Sequence, residues 1–245
     1  WPFTILFVGV DNGDKLQPDL NLKKEFESIE QAYKESTAYH VAKERRLVIK
    51  HLSFSKWAEV MMQIRREMPT VLHLGLHARK GVGLELFQQT VNPREILKQI
   101  IAWNSDARSR SPPRPEIRLI VLNACESDAH ALDLTKGVDF AIGHRDPVND
   151  GNAIEFSRLL YDRLFDSTTL LDSFNIARSC CKGYRLLANK DPSQFCLVPL
   201  SAQPATPHAS VTSPAAGSAM PTTEAITPDS DSTELVRFLK DEKLS

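Results

Sequence analysis

Val71-Leu72-His73-Leu74-Gly75-Leu76-His77-Ala78 and Leu119-Ile120-Val121-Leu122-Asn123-Ala124-Cys125-Glu126-Ser127 are the stretches on which the reading of this chain turns. Each is a short apolar run of the kind that forms a strand covered on both faces. Each ends in a residue able to do chemistry, a histidine in the first and a cysteine in the second. Covered strands belong to parallel sheets flanked by helices, and such sheets place their ligand crevice beyond the carboxyl ends of the strands. His77 and Cys125, distant in sequence, are therefore expected to meet there.

The segments on either side alternate in the same way. Phe3 to Val10 is a buried strand, and Asp11-Asn12-Gly13-Asp14 turns the chain. Leu22, Phe26, Ile29 and Tyr33 recur at helical spacing on one face. Arg46 to Leu52 is a second strand, and Ser53 or Ser55 caps a helix through Trp57, Val60, Met61 and Ile64 that Pro69 ends. After His77, Gly81 to Leu86 is a short hairpin arm. Asn92-Pro93 opens a helix through Ile96, Leu97, Ile100 and Ile101 with Pro93 at its first position. Ser105 to Glu116, with three prolines and three arginines, reads as a surface loop. Beyond Cys125 come a short helix over Ala129 to Leu134, closed by Gly137, and a strand over Val138 to Gly143. A helix capped by Asp150 runs through Ile154, Leu159, Leu160 and Leu164. Another starts at Ser167 or Thr168 and passes Leu171, Phe174, Ala177 and Cys181, and Phe195 to Leu200 is the last strand. This order predicts an α/β three-layer sandwich, a mostly parallel central sheet with helices on both faces.

Residues 1–200 make up the folded domain. From Ser201 to Ser232 the chain shifts to Ala, Pro, Ser and Thr, a composition that cannot bury enough apolar surface to offset its ordering entropy and so predicts a disordered linker. Residues 233–245, with Leu235, Val236, Phe238 and Leu239, form a short helical pattern that reads as the start of a further module. Trp1-Pro2-Phe3-Thr4 has neither an initiator Met nor a charged region before an apolar one, so a fragment of a longer protein is expected rather than a signal peptide.

Composition narrows the functions. The net charge of −1 over 245 residues provides no basic field for nucleic acid. No apolar run is long enough to cross a membrane. The four cysteines, Cys125, Cys180, Cys181 and Cys196, lack CxxC spacing, so neither a zinc site nor a disulfide framework is expected. A reducing, cytoplasmic setting with Cys125 as a free thiol follows. No cofactor and no metal are called for, a His73, His77 and Cys125 ligand set being a poor match to known spacings.

A thiol that attacks a carbonyl needs a histidine to manage protons and two backbone N–H groups aimed at the developing oxyanion. The turn at a strand end exposes such amides, and those of Ala78 and Cys125 are the candidates. His73 lies deeper than His77 on the same face of one strand, and reads as a buried structural histidine with a backbone partner. Other thiol chemistries fit less well. A Cys-x5-Arg phosphatase loop would need an arginine where Ala131 stands. A glutamine-amidotransferase arrangement wants a Gly-rich elbow and a later histidine; His130 and His144 keep that alternative open. In caspases the histidine lies about 50 residues upstream of a cysteine preceded by Ala, and here His77 lies 48 positions before Ala124-Cys125.

Ile5 to Val10, Val71 to His77, Leu122 to Ser127 and Val138 to Gly143, with Asp150-Gly151-Asn152-Ala153-Ile154-Glu155-Phe156, resemble the CHAT domains, a caspase-like family related to separase. The bacterial members joined to effector-associated domains are most similar, and the resemblance spans roughly residues 3 to 200. It implies a caspase-like sandwich that cleaves peptide bonds in a protein substrate, with His77 as catalytic histidine and Cys125 as nucleophile. It departs from the family in having Leu76-His77-Ala78 where Gly-His-Gly is usual. By the same resemblance the segment His144 to Asp150 helps build the pocket for the residue before the cut. Asp146 and Asp150 are the candidates there, each also readable as a turn or cap residue; Asp146 would favour a basic side chain and Arg145 an acidic one. The short span from Ser127 to Gly137 leaves no room for a cleavable activation linker, so control by a partner or by an attached sensor or adaptor domain is expected, in a defence, signalling or cell-death pathway. The competing reading is a catalytically silent scaffold of the same fold.

Overall fold

The computed structural model describes residues 3–10, 21–37, 39, 48–53, 56–79, 82–86 and 88–198. A six-stranded sheet forms the centre: β1 (Thr4–Gly9), β2 (Val48–Ser53), β3 (Val71–Gly75), β7 (Leu119–Asn123), β8 (Phe140–His144) and β9 (Tyr184–Ala188), in the order β2-β1-β3-β7-β8-β9. Every neighbouring pair is parallel except β8 and β9. A smaller antiparallel sheet holds β4 (His77–Arg79), β5 (Gly83–Leu86) and β6 (Gln89–Val91). The helices are α1 (Leu22–Glu35), α2 (Trp57–Glu67), α3 (Pro93–Ser109), α4 (Asp128–Thr135), α5 (Asp150–Phe165) and α6 (Leu170–Cys180).

Two cores, one on each face of the large sheet, explain why its central strands β1, β3, β7 and β8 are mostly apolar, whereas the edge strands β2 and β9 carry Lys50, His51 and Arg185. Ile5, Phe7, Val71, Val121, Phe140 and Ile142 pack under α1, α5 and α6 through Ile29, Phe156, Leu160, Leu164 and Phe174. The alternate residues Leu6, Val8, Leu72, Leu74, Ile120 and Leu122 pack under α2, α3 and α4 through Val60, Ile64, Ile96, Ile100 and Leu134. The three-layer arrangement expected from the sequence is the one observed, with about 1.5–3 kcal/mol of burial per large apolar side chain on either face.

Several local expectations need correcting. The run to His77 is not one strand: β3 ends at Gly75, whose register partners Gly9 and Asn123 also end their strands. Past that line no neighbour remains to pair with, so the chain bends at Leu76 and His77 pairs with Glu85 in the small sheet. Leu76 still packs with Leu72 and Leu74, and His77 lines a recess with Glu25, the residue that His73 meets, so the two histidines stay on the α1 side of the bend. Helix α3 runs on to Ser109 where a loop was expected. The buried Asn104 side chain clamps it, accepting from Ile117 N at 2.9 Å and donating to Ile117 O at 2.9 Å.

The caps shift as well: Lys56, not Ser53 or Ser55, precedes α2. Asn149 rather than Asp150 caps α5, its side chain accepting from Asn152 N at 2.8 Å. Thr169 rather than Ser167 or Thr168 caps α6. Among the described residues the last strand is β9 (Tyr184–Ala188), and Phe195 to Val198 do not form the strand expected there. Phe195 follows a 3-10 turn, Cys196 makes only an isolated bridge to Thr169, and 199–200 lie outside the described residues. The segments expected as linker (201–232) and short helix (233–245) also lie outside them.

Candidate active site

Cys125 stands two residues beyond β7, in a turn that its neighbours hold rigid. Glu126 has φ 49°, a left-handed conformation that costs a non-glycine residue about 1–3 kcal/mol and persists only where surroundings enforce it. Here its N–H donates to Asp146 O at 3.2 Å. Fully buried Ser127 donates from Oγ to Ala124 O at 2.7 Å, while His144 N donates to the same hydroxyl at 3.0 Å. Gly143 makes this approach possible, since a Cβ there would lie 2.8 Å from Ser127 O and 2.9 Å from Asp128 Cα.

The half-buried Cys125 thiol contacts the loop after β8. Val148 N donates to Sγ at 3.3 Å, and Sγ lies 3.5 Å from Val148 O as a donor. The loop is anchored by His144, whose Nδ1 is 2.5 Å from Asp146 O and whose Nε2 is 3.0 Å from Lys182 O. His77, also half-buried, opens β4, and Ala78 beside it faces Leu84 across the small sheet.

His77 and Cys125 line one recess, at the carboxyl ends of β3 and β7. Leu22, Leu76, Ala153 and Ile154 form apolar wall, and Glu25 and Asp150 bring carboxylates to it. Of the two acidic candidates read from the sequence, Asp150 lies on this lining, where its Oδ2 accepts from Asn21 N at 3.2 Å. Asp146 is exposed and off it, engaged through its backbone.

Beneath the recess lies a buried polar cluster that sequence reasoning missed. Glu25, 3% exposed, uses Oε1 to accept from Asn123 Nδ2 at 2.5 Å and Ser157 Oγ at 2.6 Å. His73 Nε2 is 2.9 Å from the same oxygen, at ion-pair distance though not in line for a hydrogen bond. His73 Nδ1 is 3.1 Å from Tyr161 OH, and its ring stacks on Phe7. His73 is thus buried as expected, but its partners are side chains, not backbone. Tyr184 OH donates to Asn123 Oδ1. Burial, reinforced by the Glu25 charge, holds the Tyr161 and Tyr184 phenols well above their ordinary range. A signal for Glu25 was present: it sits three residues after Leu22 and four before Ile29, on the buried stripe of α1 itself. Nothing in the sequence marks Val148 or the second use of Asn123.

Burial also raises the Cys181 and Cys196 thiols. Among the described residues no group of three or more His, Cys, Asp or Glu side chains is gathered as a metal site, and no helix is long and apolar enough to cross a membrane.

No protein-family model matches the chain. A "Probable protease" of Gillisia limnaea is 30% identical over 105 residues, covering 41% of this chain and 17% of that protein, so the chain spans less than a fifth of that relative's length. Among solved structures, Caspase-1 from Spodoptera frugiperda matches with a TM-score of 0.50 and 11% identity over 76% of this chain and 86% of that one. The Drosophila initiator caspase Dronc matches at 0.48 and 10% identity, over 74% and 73% of the two chains. A secreted C11 cysteine protease from Bacteroides thetaiotaomicron, solved in complex with an irreversible peptide inhibitor, matches at 0.42 and 11% identity, over 73% and 58%. At such identities what is shared is the fold, and the central mostly parallel sheet between helices is that of the caspase-like proteins.

Proposed function

We propose that this chain is a cysteine endopeptidase of the caspase-like class and the CHAT type, cutting a protein substrate with Cys125 as nucleophile and His77 as its proton carrier. The observation that carries the reading is that these two side chains, at the ends of separate strands in separate sheets, line a single recess. The likeness to Caspase-1 from Spodoptera frugiperda and the identity to a probable protease support it.

The chemistry follows from the residues. The Cys125 thiolate attacks the scissile carbonyl carbon, a C–S bond forms, and the carbonyl electron pair moves to oxygen. The N–H groups of Cys125 and Ala78 receive that oxyanion. His77 gives a proton to the leaving nitrogen as the C–N bond breaks, and then takes one from the water that hydrolyses the thioester and frees the thiol. Val148, whose N–H and C=O both engage Sγ, has to yield before a substrate carbonyl reaches the sulfur.

Control is assigned to an activating partner or an attached sensor or adaptor domain, in a cytoplasmic defence, signalling or cell-death pathway. The segment between Cys125 and Val138 is mostly the helix α4, with no loop there for an activating cut. If cleavage between those residues proved necessary for activity, this part would fall.

Trapping with a cysteine-directed peptide electrophile, followed by mapping of the labelled residue, tests the whole. Label on Cys125, lost in Cys125→Ala and strongly slowed in His77→Ala with the fold intact by circular dichroism, is the expected result. Labelling of Cys125 no faster than that of exposed Cys180 would favour the silent scaffold, whose Cys125 simply stays hydrogen-bonded to Val148.

A further inference from the structure

We infer that the segment from Arg145 to Asn149 is an autoinhibitory latch on Cys125, and that His144 is the positioning residue that holds it shut, by seating its ring on the surface turn at Lys182 and Gly183. The inference rests on the peptidase reading for its purpose; the contacts themselves do not depend on that reading.

The latch meets the sulfur through backbone alone. Val148 N donates to Sγ at 3.3 Å and Sγ donates to Val148 O at 3.5 Å, so both polar groups of one residue are spent on the thiol. A carbonyl oxygen that takes the S–H favours the thiol over the thiolate, which is the nucleophile. The Val148 N–H works the other way, so the latch acts chiefly by occupying the sulfur. Backbone contacts are not broken by turning a side chain. To uncover Cys125 the segment itself has to move.

His144, 4% exposed, is what fixes the segment. Its Nδ1 lies 2.5 Å from Asp146 O and 3.2 Å from Asp146 N, and its Nε2 lies 3.0 Å from Lys182 O. The ring also meets Tyr184 edge-on, with centroids 4.6 Å apart. Arg145 N donates to Gly183 O at 3.0 Å. The latch is thus tied at one end to the turn between α6 and β9, and at the other to the Cys125 turn through Glu126 N and Asp146 O. Gly183 makes the seat possible: its φ is 98°, and a Cβ there would stand 2.5 Å from His144 Nε2. Lys182 beside it is exposed, while the sulfur that the seat governs is half-buried. A shift of this one turn unseats the ring, deprives Asp146 of it, and lets Val148 withdraw, with nothing entering the recess.

The test follows alkylation of Cys125 by iodoacetamide, a probe small enough to need no substrate pocket, with peptide mapping and Cys196 as internal reference. Three variants separate bonding from volume. His144→Phe keeps a ring and removes its hydrogen bonds, Gly183→Ala blocks the seat, and His144→Gln retains a terminal amide able to donate to Lys182 O. The Phe and Ala variants are expected to alkylate Cys125 about tenfold faster than wild type, the worth of one or two hydrogen bonds, with the Gln variant within about twofold of wild type and Cys196 unchanged. A role in packing alone gives the opposite order, since Phe conserves the volume that Gln loses. Exchange of the Val148 amide hydrogen, followed by NMR, gives a second reading on variants that leave the seat intact. It is expected to be faster in Cys125→Ala, which removes the acceptor, than in wild type. Unchanged or slower alkylation of Cys125 in the Phe and Ala variants, or equal exchange at Val148 with and without the thiol, overturns the latch and leaves the peptidase reading standing. Faster alkylation in those variants, together with peptide-electrophile labelling that is no slower in His77→Ala, supports the latch and sinks the peptidase reading.

Discussion

Gly143 is the residue on which the presentation of Cys125 most directly depends. A methyl group there would sit 2.8 Å from a backbone oxygen of Ser127 and 2.9 Å from Asp128 Cα, and backbone cannot swing aside as a flexible side chain can. Gly143→Ala is therefore expected to destabilise the fold by about 1–3 kcal/mol, measured by urea unfolding, and to slow alkylation of Cys125 because the turn that carries it is pushed. An unchanged unfolding midpoint would show that the turn gives way freely. The four thiols should also separate by rate. Exposed Cys180 and half-buried Cys125 are expected to react with iodoacetamide at neutral pH well ahead of Cys181 and Cys196, whose thiols burial holds above their ordinary range. Peptide mapping of a time course checks the order, and early modification of Cys181 would contradict the packing around it.

At the scale of elements, the sequence was legible where burial alone decides and illegible where tertiary contacts override local signals. His77 and Cys125 were readable because each closes an apolar run. Glu25 lies on the buried stripe of α1 between Leu22 and Ile29, but as a signal a carboxylate there loses to Phe26 and Tyr33, which the structure packs only half-buried against the core. Residues 105–109 carry polar and charged side chains and still continue α3, because buried Ala107 and the Asn104 clamp to Ile117 hold that turn. The bend at Leu76 has a topological cause, the end of the neighbouring strands, that no single segment can display. Helix caps fall into the same class, since Asn149 and Asp150 are equally good N-cap residues in isolation. Which of them caps is testable. Asn149→Ala removes the acceptor for Asn152 N and is expected to cost about 1 kcal/mol in chemical denaturation. Asp150→Ala, at the first helical position, is expected to cost less, and the reverse order would return the cap to Asp150.

Across the whole molecule the polar cluster lies on only one of the two faces of the sheet, where α1 and α5 meet, and this asymmetry has a consequence at alkaline pH. Tyr161 and Tyr184 are buried beside the Glu25 carboxylate, so the folded protein keeps both phenols protonated well above the ordinary value near 10. In the unfolded chain they ionise at about that ordinary value. Above it the unfolded state therefore binds fewer protons than the native state, and stability falls as pH rises, by at most about 1.4 kcal/mol per pH unit for each phenol. Below the unfolded value the contribution is complete and independent of pH. Cys181 and Cys196 shift in the same direction from a lower starting point, so the raw profile alone does not isolate the phenols. The difference between wild type and Tyr161→Phe does. The variant is expected to lose some stability at neutral pH, where the phenol meets His73, and to lose less on going to higher pH. Urea midpoints taken between about pH 8 and pH 11 are expected to converge for the two proteins. Parallel curves would mean that Tyr161 ionises as freely in the folded protein as in the unfolded one, and that the floor of the recess is open to water.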